Sequence, residues 1–186
     1  MRHLIRDAII LCGTSLLRNA EVHLGRQLTG IQDLTDYVKA VSFKVASAEL
    51  NLIEGLNIEP SQRVILVHTE TPQGKLAAEA IRAAYHQRFT PKEHEVLLVS
   101  ANGLGSDDPE IFVKAVRNLA MSLKEQISTS RNEGHEVYIG AVGGFKPMAM
   151  VAAIVAAETS TNLYYIRQDF ADPVEIDLST GPLSQP

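Results

Sequence analysis

Four short apolar runs recur along the chain and constrain its fold more than any other feature. They are AIILC (residues 8–12), VILVH (64–68), EVLLVS (95–100) and EVYIGAV (136–142). Their apolar residues are continuous rather than alternating, which is typical of strands in a parallel sheet covered on both faces.

Segments with a helical period separate these runs. Three apolar stripes lie at residues 34–52, 76–84 and 112–127. We expect the first to be one helix that ends near Gly55. Asp108-Pro109-Glu110 precedes the third and supplies a cap, a first-turn proline and a first-turn acid. Strands that alternate with helices predict a doubly wound α/β fold with a mostly parallel sheet and helices on both faces.

The C-terminal part contains one more helix and two further strand-like runs. MAMVAAIVAA (148–157) predicts a helix buried on most sides, since it is too short to span a bilayer. NLYYIR (162–167) and VEIDL (174–178) are separated by Asp172-Pro173 and predict a final hairpin. We expect a single domain over residues 1–180 and a loose tail over residues 181–186.

Composition excludes several classes of protein. The net charge of −5 argues against broad binding to duplex DNA, but it leaves room for a small anionic ligand. The single cysteine, Cys12, rules out a disulfide scaffold and indicates a buried, inert thiol in a reducing compartment. The N-terminus lacks a signal-peptide pattern. We therefore expect a cytoplasmic protein without a membrane partner.

Glycines, hydroxyls and lysines follow the predicted strands, where ligands bind in such sheets. The loops are Gly13-Thr14-Ser15, Thr69-Glu70-Thr71-Pro72 followed by Gly74-Lys75, the segment from Asn102 to Asp108, and Gly143-Gly144-Phe145-Lys146-Pro147. Helix starts present unpaired N–H groups that favour anions. The pattern predicts a ligand that carries phosphate.

Each loop also has a purely structural interpretation. Gly13 would allow a tight turn, Ser15 would cap the next helix, Thr71 would cap another, and Gly143-Gly144 would let the chain turn. Lys146 differs, because a cation at a helix start is unfavourable unless an anion lies beside it. Dinucleotide and P-loop motifs are absent, and the six histidines lack metal-ligand spacing, so we predict no metal and no cofactor.

Taken together, the motifs resemble the CRISPR-associated Rossmann fold (CARF) family. The resemblance rests on GTSLLRN (13–19), HTETPQGKLAAEA (68–80), GLGSDDPEIF (103–112), GGFKP (143–147) and YYI (164–166) in this order. It implies a Rossmann-like fold and a homodimer that binds cyclic oligoadenylate, usually cyclic tetra-adenylate, across the two-fold axis. An isologous site built twice from the same loops suits a ring of identical nucleotides.

The resemblance also implies an activity and its residues. Single-domain relatives are ring nucleases of type III CRISPR defence, in which the ribose 2′-hydroxyl attacks the adjacent phosphodiester without a metal. Ser15 and Lys146 match the residues linked to cleavage. The matching loops imply the ligand-binding residues Gly13, Thr14, Arg18, Asn19, Thr69, Glu70, Thr71, Gly103, Gly143, Gly144 and Phe145. Two alternatives stay open: a non-catalytic sensor that signals to a partner or effector domain, and an unrelated nucleotide-binding α/β protein.

Overall fold

Six strands form one sheet in the order β3-β2-β1-β4-β5-β6. The computed structural model describes residues 5–28, 30–56, 63–89, 96–166 and 172–178. The strands are β1 (Arg6–Leu11), β2 (Val64–Thr69), β3 (Val96–Ala101), β4 (Glu136–Gly140), β5 (Asn162–Tyr165) and β6 (Val174–Ile176). The helices are α1 (Ser15–Leu24), α2 (Ile31–Val41), α3 (Phe43–Ala46), α4 (Ala48–Gly55), α5 (Pro72–Arg88), α6 (Pro109–Asn132) and α7 (Lys146–Thr159).

Strand β1 lies at the centre of the sheet and is buried on both faces. It pairs in parallel with β2 on one side and β4 on the other, so that Ile9 lies opposite both Ile65 and Ile139. Ala8 and Ile10 pack into one core with helices α1 to α5, whereas Ile9 and Leu11 pack into a second core with α6 and α7. The apolar runs are therefore continuous because helices cover both faces of a parallel sheet, as predicted. The doubly wound, Rossmann-like α/β fold is confirmed.

The predicted C-terminal hairpin is confirmed as well. Strand β6 runs antiparallel to β5, with Tyr164 opposite Glu175. The Tyr164 hydroxyl donates a hydrogen bond to Glu175 Oε2 at 2.7 Å, so the pair is joined by side chains as well as by the backbone. Residues 181–186, predicted to be a tail, lie outside the described residues.

The single helix predicted over residues 34–52 is wrong, because the chain breaks twice. Ser42 adopts a positive φ of 82° with ψ of 160°, which ends α2. Ser47 is extended and its side chain accepts a hydrogen bond from the Leu50 N–H at 3.1 Å, so it caps α4. As a result Val45, assigned to the apolar stripe, is 61% exposed on the short helix α3.

Helix α7 is less buried than its apolar sequence predicts. Its inner face packs on the sheet through Met148, Val151 and Val155. Its outer face leaves Met150 66% and Ile154 57% exposed, so the prediction of a helix buried on most sides is wrong. Among the described residues, no helix combines the length and apolarity needed to cross a membrane.

The backbone at Ser42 generates a stability prediction. A residue with a side chain is strained at these angles by about 1–3 kcal/mol, whereas glycine is not. We expect Ser42→Gly to raise the free energy of unfolding by about 1 kcal/mol, after the larger entropy loss of glycine is subtracted. Urea denaturation followed by circular dichroism measures this change. Ser42→Ala keeps the Cβ and should bring no gain; equal stability of the two variants would contradict the strained backbone.

Candidate functional site

A cavity of about 520 Å³ opens at the carboxyl ends of β1 and β4. The sheet order reverses direction between these two strands, and doubly wound sheets bind ligands at such a point. Helices α1 and α4 begin there, and α7 begins just after the lining residues Gly143 and Gly144. Seven residues predicted from the sequence line the cavity: Gly13, Thr14, Ser15, Arg18, Asn19, Gly143 and Gly144.

Helices α1 and α7, which follow β1 and β4, lack side-chain caps, whereas α5 and α6, which follow β2 and β3, have them. Thr14 precedes α1 and Phe145 precedes α7, and neither makes a capping hydrogen bond. In contrast, Thr71 caps α5 and Asp108 caps α6, as predicted. The interpretation of Ser15 as a cap is wrong, since Ser15 is the first residue of α1. Among the described residues, the first-turn N–H groups of α1 thus stay available for an anion, whereas α7 has a proline in its first turn and its Met148 N–H donates to the Phe145 carbonyl oxygen at 2.8 Å.

The loops after β1 and β4 touch through their backbones. A Cβ on Gly13 would lie 2.5 Å from the Gly144 nitrogen, and Gly144 itself has a φ of 91°. Both positions therefore require glycine, one for the close approach and one for the left-handed backbone. This contact brings the loop that carries Ser15 against the loop that carries Lys146.

A buried carboxylate, Glu49, lies between these loops and is the main residue that sequence reasoning missed. Its Oε1 accepts a hydrogen bond from the Gly13 N–H at 2.8 Å, and its Oε2 accepts one from the Ser15 hydroxyl at 2.6 Å. The side chain is 0% exposed. In the free protein the predicted anion-binding groups of Gly13 and Ser15 are thus already bound to an internal anion.

Gly143 provides the room for this carboxylate. A Cβ at position 143 would overlap Glu49 Oε1 and would lie 2.7 Å from the Gly13 nitrogen. The glycine pair after β4 therefore does more than let the chain turn, because its first member is needed to seat Glu49.

Helix α3 and the first part of α4 form the opposite wall of the cavity. Lys44, Val45, Ser47 and Asn51 line it beside Glu49. The prediction of one continuous helix concealed this wall, because it placed Val45 on an apolar stripe and left no break in the chain here. One signal was available in the sequence: Ser47 followed by Glu49 is the pattern of a capped helix start with an acid in its first turn.

Cys12, at the end of β1, is the inert thiol that the sequence predicts. It is 1% exposed, and its Sγ lies 3.7 Å from the Ile10 carbonyl oxygen. Burial, and to a lesser extent the charge of Glu49, raise the pKa of the Cys12 thiol well above its usual value. The thiol therefore stays protonated and is a poor nucleophile.

Lys146 is the first residue of α7. It is exposed, and no hydrogen bond or ion pair joins its ammonium to a residue that the structure describes. The neighbouring Phe145 is 48% exposed. Neither residue lines the cavity of the single chain, so their roles in ligand contact stay predictions.

The remaining predicted residues join the loops after β2 and β3 to each other. Glu70 Oε1 accepts a hydrogen bond from the Gly103 N–H at 2.9 Å, and the Thr69 and Thr71 hydroxyls are 2.9 Å apart. None of the four lines the cavity of the single chain. Their contribution to ligand binding also stays a prediction.

A second cavity and an acidic cluster lie at the amino-terminal ends of β1 and β4, opposite the first cavity. The cavity, of about 750 Å³, includes Arg6 and His135 in its lining. Asp7, Glu133 and His135 bring potential metal ligands within 4.8 Å of one another, a grouping that sequence spacing could not reveal. However, Arg63 lies 3.5 Å from Asp7 and 2.8 Å from Glu133, so a guanidinium is already paired with both carboxylates. We interpret it as an ion-pair network.

The sequence belongs to a CRISPR-associated family. Residues 44–178 match the family described as CRISPR-associated protein (Cas_APE2256). This confirms the resemblance to CRISPR-associated proteins with a Rossmann-like fold. No curated protein matches the chain.

Two solved structures are similar in fold. Csm6 from Enterococcus italicus, bound to cyclic hexa-2′-fluoro-hexa-dAMP, aligns with a TM-score of 0.52 and 12% identity over 91% of this chain and 36% of that one. Can2 from Sulfobacillus thermosulfidooxidans, in complex with cyclic tetra-adenylate, aligns with a TM-score of 0.46 and 14% identity over 92% of this chain and 35% of that one. The chain thus spans about a third of the length of either.

The close contact between Gly143 and the Glu49 carboxylate leads to a second stability prediction. We expect Gly143→Ala to lower the free energy of unfolding by about 2 kcal/mol or more, because the added methyl group overpacks the site and displaces the carboxylate from its donors. Gly105→Ala is the matched control, since a Cβ there meets its nearest atoms only at 3.9 Å. Thermal denaturation of both variants checks the difference; two equal melting temperatures would contradict the contact.

Proposed function

We propose that the chain binds a cyclic oligoadenylate, most specifically cyclic tetra-adenylate, across a homodimer cleft and cleaves it. The observation that carries the proposal is the meeting of two uncapped helix starts, α1 and α7, at the point where the sheet order reverses. The free N–H groups in the first turn of α1 and the exposed Lys146 at the start of α7 fit a ligand with several phosphates. Membership of a CRISPR-associated family and the fold shared with a Csm6 that binds a cyclic hexanucleotide support this ligand class.

The exposed face of α7 supports the homodimer. Lys146, Met150 and Ile154 follow one another at intervals of four residues and therefore share one side of the helix. Two large apolar side chains at 66% and 57% exposure favour coverage by a second protein surface. A second copy packed on Met150 and Ile154 would bring Lys146 of both protomers to the interface, which accounts for its position outside the cavity of one chain.

The proposed reaction uses the ligand's own nucleophile. The ribose 2′-oxygen attacks the neighbouring phosphorus, the bond from phosphorus to the 5′-oxygen breaks, and the products end in a 2′,3′-cyclic phosphate and a 5′-hydroxyl. Lys146 stabilises the charge on the phosphoryl oxygens and protonates the leaving oxygen. The amides near Gly143 and Gly144 and the Thr14 hydroxyl hold the phosphate, so that positioning and electrostatic stabilisation supply the rate enhancement.

A non-catalytic sensor is the second candidate function. One observation favours it: the chain spans only about a third of the Csm6 chain whose fold it shares. As a sensor, the same cavity would bind the ring and transmit the change in conformation to a partner or effector domain. Incubation with cyclic tetra-adenylate in EDTA separates the candidates, since a ring nuclease yields linear di-adenylate and a sensor leaves the ring intact. Cyclic hexa-adenylate in parallel gives the ring-size preference.

The first functional prediction concerns Lys146. We expect Lys146→Ala to slow cleavage of cyclic tetra-adenylate by about 100-fold or more, because it removes the group that stabilises and protonates the leaving oxygen. Product analysis by liquid chromatography under single-turnover conditions measures the rate. Lys124→Ala removes the same charge from the middle of α6, where Lys124 pairs with Glu158, and should cleave normally. Cleavage at the parental rate by Lys146→Ala would disprove the assignment.

The second functional prediction concerns the dimer. We expect the double variant Met150→Glu and Ile154→Glu to be monomeric in sedimentation velocity, since two carboxylates on the apolar face of α7 oppose its burial. Binding of cyclic tetra-adenylate should weaken with it. Val22→Glu, which places a charge on an apolar residue of α1 that is 79% exposed, is the control and should stay dimeric. A double variant that remains dimeric would place the interface elsewhere.

A further inference from the structure

The hydrogen-bond direction at Ser15 determines what this residue can do for a ligand. Its hydroxyl donates to Glu49 Oε2 at 2.6 Å, which uses its only hydrogen. The same oxygen accepts a long contact from the Ala48 N–H at 3.4 Å, which leaves a lone pair for the cavity that Ser15 lines. Towards a ligand, Ser15 is therefore an acceptor.

Glu49 is fixed in its place by three independent features. The Gly13 N–H holds Oε1 at 2.8 Å, Gly143 leaves just enough room for the same oxygen, and the side chain is 0% exposed. A ligand phosphate could take the Gly13 and Ser15 donors only by expelling this carboxylate. The buried, doubly hydrogen-bonded arrangement favours a carboxylate that stays and acts through Ser15.

We infer that Glu49 is a positioning residue that orients Ser15 as the acceptor for the ribose 2′-hydroxyl and receives its proton through Ser15. This inference rests on the proposed ring cleavage, because it supplies the general base that the reaction requires. It also selects one role for Ser15: the residue contacts the nucleophile and not the phosphate.

The proton transfers balance across the reaction. As the 2′-oxygen bonds to phosphorus, its proton passes to Ser15 Oγ and the Ser15 proton passes to Glu49 Oε2. The bond from phosphorus to the 5′-oxygen breaks, and the 5′-oxygen takes a proton from the Lys146 ammonium. Glu49 ends protonated and Lys146 neutral, and exchange with water restores both groups.

The decisive experiment compares single and double variants of the full chain. We expect Glu49→Gln, which keeps the size of the side chain but not its charge, to slow single-turnover cleavage of cyclic tetra-adenylate by about 100-fold or more. Ser15→Ala should slow it similarly, and the double variant should be no slower than the worse single one, because the two groups act as a unit. The 2′-deoxy ring lacks the nucleophile and therefore reports binding alone. Its dissociation constant should differ by less than about threefold between the parent chain and each of these variants.

The control and the contradicting outcomes separate this inference from the proposed function. Glu54→Gln removes a carboxylate from the same helix, where Glu54 pairs with Arg88, and should leave cleavage unchanged. Cleavage by Glu49→Gln at the parental rate, or effects that multiply in the double variant, would overturn the role of Glu49 alone. A parent chain that binds the ring without cleaving it would overturn the proposed enzyme and this inference with it. If Glu49→Gln does not fold, Glu49→Asp is used in its place. This variant keeps the charge but moves it away from Ser15, so it must also cleave more slowly than the parent chain.

Discussion

The carboxylate of Glu49 joins the three chain segments that build the candidate site. It accepts hydrogen bonds from the loop after β1, lies in the first turn of α4 and fills the space that Gly143 leaves after β4. A buried carboxylate without donors would be costly, so the Gly13 amide and the Ser15 hydroxyl are needed for the fold as well as for the site. Both glycine loops and the capped turn at Ser47 are arranged around this one group.

The same interaction changes the meaning of the glycine-rich loops. In many α/β proteins such loops have free backbone N–H groups that bind a phosphate. Here the Gly13 amide is already occupied, and the free donors are instead the first-turn N–H groups of α1 and the ammonium of Lys146 at the start of α7. The protein therefore separates two tasks: Glu49 fixes the hydroxyl of Ser15, while the start of α1 at the cavity and Lys146 outside it remain available to anionic groups.

The fold was predictable from the sequence because its signals are local. Continuous apolar runs identified the parallel strands, and Asp108 and Thr71 capped their helices as expected. The break at Ser42 was not predictable, since the apolar period continues through it and only the tertiary structure imposes the positive φ. The role of Glu49 was not predicted for a related reason. Its partners, Gly13 and Ser15, are more than 30 residues away along the chain, and no local sequence pattern indicates such a contact. Lys146 drew attention in the sequence because a cation at a helix start is anomalous by itself, and its role stays a prediction.

The distribution of the site along the chain has a consequence for its assembly during synthesis. Its parts come from the loop after β1, the turn before α4 and the loop after β4, and the last of these closes against the first. A growing chain that ends before β4 can pair β1 only with β2, so one edge of the central strand and one wall of the crevice are still missing. Contacts between such distant segments form late, after the local helices. A ligand that needs both loops would therefore bind only to a chain whose synthesis has passed α7.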